Sequence, residues 1–366
     1  MRRILLACLL VVSAVSAYAA LPPDLVYNGD TLEWNTSWKR SKCGTLSESL
    51  DLPEVSGIAC SRVTPGYIWM ESDDYESYII ATTEKGQERA CKLKMSKTIG
   101  WDWEDMSGGV YEGKNYLFIG SFGDNEETRK DYRIVWFEEP AIDPVNKPEQ
   151  TVTPNYIRYK YPDGKSHNNE ALMYDNREQM IYIITKVYYN VCQVFKLPFR
   201  LDYKTSDTLT LEYVCDLGVR SDLGESANNQ PYQGFHLVTG ADISPDGKYI
   251  LIKNHNNIVA KYSWILYWTR LDGESVADAI QNRAPQPLRC YSYEWQGEAI
   301  CWLDDDTFYT TSDSDGEPPI YKYTRKWGEG VENVQAANDN RLVMRDGVIC
   351  LRTPNGFYSL DGRKIQ

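Results

Sequence analysis

Residues 240–254 read Gly240-Ala241-Asp242-Ile243-Ser244-Pro245-Asp246-Gly247-Lys248-Tyr249-Ile250-Leu251-Ile252-Lys253-Asn254. A short apolar run opens on small and acidic residues. It is broken by Pro-Asp-Gly, which favours a tight turn, and a second apolar run follows that ends in polar residues. Two such runs with a turn between them predict a pair of β-strands. The arrangement recurs along the chain. Ser56-Gly57-Ile58-Ala59-Cys60 precedes Tyr67-Ile68-Trp69-Met70-Glu71-Ser72-Asp73-Asp74, and Trp103-Glu104-Asp105-Met106 precedes Tyr116-Leu117-Phe118-Ile119-Gly120 and Gly123-Asp124-Asn125. Asn169-Glu170-Ala171-Leu172 precedes Ile181-Tyr182-Ile183-Ile184-Thr185-Lys186, and Gly297-Glu298-Ala299-Ile300 precedes Phe308-Tyr309-Thr310-Thr311-Ser312-Asp313.

Units repeating at this scale belong to propeller architectures, where a four-stranded blade takes about 40 to 50 residues. Residues 133–137, 191–195 and 320–323 fit third strands, and 209–214 and 290–295 fit outer ones. Helical periodicity is nearly absent: residues 273–282 predict one short helix, and the polar stretch 221–233 reads as a long surface loop. The expected fold is all-β, a β-propeller of four-stranded blades. Six blades are expected, the sixth shared by residues 25–38 and 341–360, with a five-bladed ring as the alternative.

The flanks of the chain suggest its destination. Arg2 and Arg3, the apolar run 4–12 and Ala17-Tyr18-Ala19 have the layout of a secretory signal peptide, too short to span a bilayer. The expected organisation is a signal over 1–20, the propeller over 21–335 and a C-terminal hairpin over 336–366. An extracytoplasmic, monomeric protein with no transmembrane segment follows. The 27 Tyr and 11 Trp favour strands. A net charge of −13 excludes nucleic acid and anionic membrane surfaces as natural partners and suits a protein that holds cations. Eight cysteines follow the signal without a C-x-x-C pair. Zinc is thereby disfavoured, while disulfides and buried free thiols both remain open.

In a propeller the first strand of each blade borders the central channel, so the starts of these strands converge. Glu104, Asp105, Glu170, Asp242 and Glu298 are therefore expected around one end of the channel. Gathered carboxylates repel unless a cation neutralises them or some stay protonated, and an all-oxygen ring suits Ca²⁺. The alternative is structural: the same acids can accept hydrogen bonds from neighbouring strands and set blade registry. Polar residues at the ends of second strands, together with nearby histidines, form a second candidate set at a channel mouth: Asp124, Asn125, His167, Lys186, His236, Lys253, His255 and Asp313. Such a rim would suit a small-molecule, glycan or protein ligand.

Several of these motifs also carry a resemblance: Val55-Ser56-Gly57, Asp102-Trp103-Glu104-Asp105, Asn169-Glu170-Ala171-Leu172, Asp242-Ile243-Ser244-Pro245-Asp246-Gly247 and Gln296-Gly297-Glu298-Ala299. Over roughly residues 50–325 the chain resembles exported bacterial β-propellers related to phytase-like and esterase-like propeller proteins. The resemblance implies acidic residues that hold calcium and, in the phytase-like members, phosphate held by lysine or arginine, although a full phytase set does not map onto this chain. A calcium-supported ligand-binding propeller is the leading expectation. A calcium-dependent phosphoesterase and an envelope interaction module are the alternatives. Residues 342–347 and 357–364 are similar to C-terminal sorting tails of exported Bacteroidetes proteins.

Overall fold

An inner strand whose successive residues are all buried has two faces to cover, and a ring of blades provides a neighbour for each face. In the computed structural model, residues 24–326 are described except 28–29, 74–76, 98, 188–190, 226–230, 257–262, 290–293, 295 and 314–315, together with strands within 341–365. At 24, 30, 220–225, 231–236, 256, 289 and in the C-terminal strands the description is of the backbone. The inner strands are Val55–Cys60, Trp103–Tyr111, Asn169–Asp175, Pro231–Ile243 and Gly297–Asp304. Each packs on the next, and the last packs on the first, so the ring closes with five blades.

Both faces of these strands are used. In Val55–Cys60, Ile58 and Cys60 enter the apolar cluster shared with the fifth blade, while Ala59 enters the one shared with the second. Among the described residues five such clusters lie between successive blades, and the one with most members, between the third and fourth, includes Met173, Tyr182, Ile250 and Trp264. At about 1.5–3 kcal/mol for each large apolar side chain fully buried, these interfaces are the main source of the ring's stability.

The five-bladed ring shows why no sixth blade is needed. Trp38–Thr45 pairs antiparallel with Pro319–Arg325 as the outer strand of the fifth blade, so a segment from near the chain start completes the last blade. Asp24–Tyr27 instead pairs with Val219–Glu225. That strand in turn pairs with the first part of Pro231–Ile243, so much of the stretch expected as a loop is strand. Arg341–Arg345, Val348–Thr353, Gly356–Tyr358 and Lys364–Ile365 form an antiparallel sheet of their own, and among the described residues they pair with no blade strand. The short helix is Val276–Asn282, begun by a Ser275–Asp278 capping box.

Blades approach closely enough at the axis to demand glycine. A Cβ on Gly57 would lie 2.4 Å from Glu71 Oε1 and 2.5 Å from the Met106 amide nitrogen of the second blade. Backbone cannot yield as a flexible side chain can, so Gly57→Ala is expected to destabilise the fold by about 1–3 kcal/mol. Calorimetry checks this; an unchanged melting temperature would contradict the close approach.

Candidate functional site at the bulged mouth of the channel

Every inner strand slips register where it borders the mouth, near its start in four of them and past the middle of the long Pro231–Ile243 in the other. The shifts fall at Val55/Ile58, Trp103/Asp105, Asn169/Ala171, Val238/Gly240 and Gly297/Ile300. A bulge leaves a residue without a ladder partner and re-aims its side chain. The bulged positions hold Ser56 and Gly57, Glu104, Glu170, Thr239, and Glu298 with Ala299. Three of the five strands are entered through a non-glycine residue with left-handed backbone: Glu54 (φ 48°), Asp102 (φ 62°) and Gln296 (φ 45°). Backbone in this region is strained for L-residues, and it sits directly beside the bulges.

The bulges gather three of the expected carboxylates. Glu104, Glu170 and Glu298 are all buried, and Lys186 stands among them. Its Nζ lies 3.1 Å from Glu170 Oε2 and 4.0 Å from Glu298 Oε1. Asn168 Nδ2 donates to Glu170 Oε1 at 3.0 Å, and the Ser56 hydroxyl donates to Glu298 Oε2 at 3.3 Å. Burial, aided by the charge of Glu170 and a hydrogen bond to it, holds the Glu104 carboxyl well above the usual range. Burial pushes Glu298 up to about 8, with Lys186 pulling it down and Glu170, Asp313 and Asp73 raising it. Burial also raises Asp102, again with help from Glu170. Thr239, the fourth blade's bulged residue, donates instead to the Gly297 carbonyl at 2.8 Å.

Glu71 belongs to the same cluster, although the strand starts did not point to it. It sits on the second strand of the first blade, opposite the bulge at Ser56 and Gly57. Glu71 is fully buried, and no hydrogen bond of full geometry reaches either carboxyl oxygen. The Gly57 backbone is a polar neighbour. Burial, then the charges of Asp73 and Glu298, holds its carboxyl well above the usual range. The available signal was a glutamate ending the otherwise apolar run Ile68-Trp69-Met70.

Asp105 and Asp242 do different work. Asp105 Oδ2 accepts from the Leu172 amide at 2.7 Å and the Ala241 amide at 3.1 Å, and Oδ1 accepts from its neighbour Met106 at 2.8 Å. One carboxyl thus ties the second blade to the third and fourth. Asp242 Oδ1 accepts from the Ser107 hydroxyl at 3.0 Å, and Oδ2 accepts from the Trp302 amide at 2.8 Å. Burial pushes Asp242 up to about 6 against these bonds. These two acids are registry pins, the structural alternative weighed from the sequence, and Asp242 lies three residues beyond its blade's bulge. Their oxygens are already taken by protein donors, so they do not join the mouth carboxylates.

The second candidate set divides as well. Lys186 and Asp313 belong to the mouth, where Gln296 Nε2 donates to Asp313 Oδ2 at 3.2 Å. Asp124 organises its own loop, accepting from the Thr128 and Arg129 amides at 2.9 Å each and from the Tyr132 hydroxyl at 2.6 Å. Asn125 accepts from Asn168 Nδ2 at 3.1 Å. His167 packs against the Tyr161 ring, with Nε2 3.0 Å from Asp163 Oδ2. Lys253 is fully buried in an ion pair with Glu294. His255 is buried at the end of its strand, and the side chain of His236 lies outside the described residues. Among the described residues no three His, Cys, Asp or Glu side chains already stand in a metal-holding arrangement, and no helix is long and apolar enough to cross a membrane.

No family model and no curated protein matches the chain. Among solved structures, the chain is similar to the PQQ-bound form of the aldose sugar dehydrogenase of Streptomyces coelicolor, at 9% identity, over 79% of this chain and 99% of that one, with a TM-score of 0.39. A likeness of this size carries no argument about activity or cofactor. Taken together, the closed ring, its blades and the bulged inner strands make this chain an all-β protein with a five-bladed β-propeller.

Proposed function

We propose that this chain is an exported propeller that binds a ligand at the bulged mouth through a positively charged group, Ca²⁺ being the cation that suits the donors best. The observation that carries the reading is Glu71. A fully buried carboxyl without a hydrogen-bonding partner of full geometry is costly unless something else meets it, and its charge neighbours are Asp73, Glu298 and Glu170. Glu71, Glu104, Glu170 and Glu298 supply the carboxylate oxygens that an oxygen-liganded divalent ion takes; they would have to draw together to hold it, since they do not stand in a metal-holding arrangement, and Ca²⁺ would supply the charge that allows all four to ionise together. Asp105 and Asp242 are left out of that set because backbone amides and the Ser107 hydroxyl already use their oxygens. Before binding, Lys186 brings positive charge to the cluster, and burial among like charges favours the neutral forms of Glu71, Glu104 and Glu298.

A hydrolase of the phosphoesterase type would need cations for phosphate. Lys186 lies between Glu170 and Glu298, Lys253 pairs with Glu294, and Arg129 donates to the Trp101 and Gly123 carbonyls and to Ser121. This commitment of the basic side chains favours binding over phosphate chemistry. Phytate or p-nitrophenyl phosphate hydrolysis in the presence of Ca²⁺ would reverse that preference.

Calorimetric titration of chelator-treated protein with Ca²⁺ tests the reading. Because binding must displace protons, affinity is expected to rise with pH through about 8, where Glu298 titrates, with heats that depend on the buffer's ionisation enthalpy. Glu71→Gln and Glu298→Gln are each expected to weaken binding by about tenfold or more while the circular dichroism spectrum is kept. Absence of binding at millimolar Ca²⁺ at pH 8.5 would overturn the cation. Glu298 also makes its own contribution to the ligand-free stability profile. Its folded pKa lies above the ordinary 4.5, so its contribution is fully present below 4.5 and is lost as pH rises through about 8.

A further inference from the structure

Cys60 and Cys301 meet inside the seam that closes the ring. Cys60 ends the inner strand of the first blade, and Cys301 lies on the inner strand of the fifth. Their Sγ atoms are 3.4 Å apart, and the residues are 5% and 1% exposed. They are separated by 241 positions in sequence, nearly the whole circuit of the propeller. A disulfide bond is about 2.05 Å long, so from 3.4 Å the two sulfurs need roughly 1.4 Å of further approach. Both side chains belong to one apolar cluster with Ile58, Ala299 and Tyr309, in which a disulfide is as compatible as two thiols. Other thiols have different neighbours: Cys43 Sγ lies 3.4 Å from the Ile320 carbonyl, and Cys91 Sγ lies 3.6 Å from Gln150 Nε2.

We infer that Cys60 and Cys301 form a disulfide that locks the first blade to the last. The bond forms by thiol–disulfide exchange with a small or protein disulfide oxidant such as glutathione disulfide. Both S–H bonds are broken, the Cys60–Cys301 bond forms, the oxidant's own S–S bond breaks, and two protons and two electrons pass to give two glutathione thiols. Burial in the finished ring shields both sulfurs, so the oxidant reaches them while the seam is open, before the fifth blade docks on the first. Once formed, the cross-link restricts the unfolded chain over one very long loop, the circumstance in which a disulfide stabilises most.

The test is oxidative refolding of the full chain in a glutathione redox buffer. Free thiols are then alkylated in denaturant and peptides mapped by mass spectrometry without reduction. The expected result is a cross-linked peptide joining Cys60 to Cys301, and a melting temperature higher by on the order of 5 °C than that of protein refolded in dithiothreitol. In Cys301→Ala the cross-link and the difference between oxidised and reduced melting temperatures should both vanish. Recovery of Cys60 and Cys301 as alkylated thiols, or cross-linked to other cysteines, would overturn the assignment. The peptide map of the unsubstituted protein decides this even if the variant does not fold.

Discussion

Asp105→Ala is expected to lower stability by about 4 kcal/mol and the melting temperature by on the order of 10 °C, because it leaves three buried amides without their acceptor. Those amides belong to Met106, Leu172 and Ala241, so the loss falls on three blades at once. An orphaned buried donor loses its hydration without recompense, which is why the effect exceeds that of a surface hydrogen bond. Asp105→Asn should recover only part of it. The asparagine amide keeps one acceptor oxygen but turns an N–H₂ group toward backbone donors. Denaturant unfolding followed by tryptophan fluorescence measures both variants. A loss below about 1 kcal/mol for alanine would mean that the pin carries little. Ca²⁺ affinity measured on the folded fraction should hold near that of the parent protein, since this carboxyl is not part of the mouth cluster. That separates a registry pin from a ligand.

The second large effect is at Lys253. From the sequence it stood among the ligand-binding candidates at a strand end; in the folded chain it is enclosed with Glu294 at the junction of the fourth and fifth blades. Glu294 also accepts from the Thr310 hydroxyl at 3.0 Å and the Tyr323 hydroxyl at 2.9 Å, and Arg40 Nη1 lies 3.5 Å away. Removing one member of a buried pair strands the other charge, which costs about 3–5 kcal/mol, whereas replacing both by apolar residues of similar volume is often near neutral. Lys253→Met is therefore expected to be strongly destabilised, Glu294→Leu at least as much, and the double variant to regain most of the loss. A double-mutant cycle by urea unfolding measures this. Additive losses would show that the two side chains do not act as a pair.

Much of the architecture was legible because a propeller repeats one local unit. The paired apolar runs and the turns between them mark the strands, and the one short helix falls within the expected 273–282, as Val276–Asn282. The convergence of Glu104, Glu170 and Glu298 could also be read, since each sits at the same offset in its unit. The blade count was harder. Whether residues near the two ends add a blade or complete one depends on which free edge they meet, and Trp38–Thr45 found the open edge of the fifth blade. The stretch 221–233 looked like a loop because its polar residues mask part of a strand, Val219–Glu225, that pairs with Asp24–Tyr27 and Pro231–Ile243.

The sequence by itself determined an all-β chain of repeated hairpins with acidic residues at the starts of its inner strands. Tertiary structure alone decided which acids meet. Side chains alternate faces along a strand, so a slip of one residue changes where each one points, and where a bulge falls depends on the partner strand. That is why Thr239, and not Asp242, takes the fourth blade's place at the mouth, why Asp105 becomes a pin while its neighbour Glu104 joins the cluster, and why Glu71 enters the cluster from a second strand.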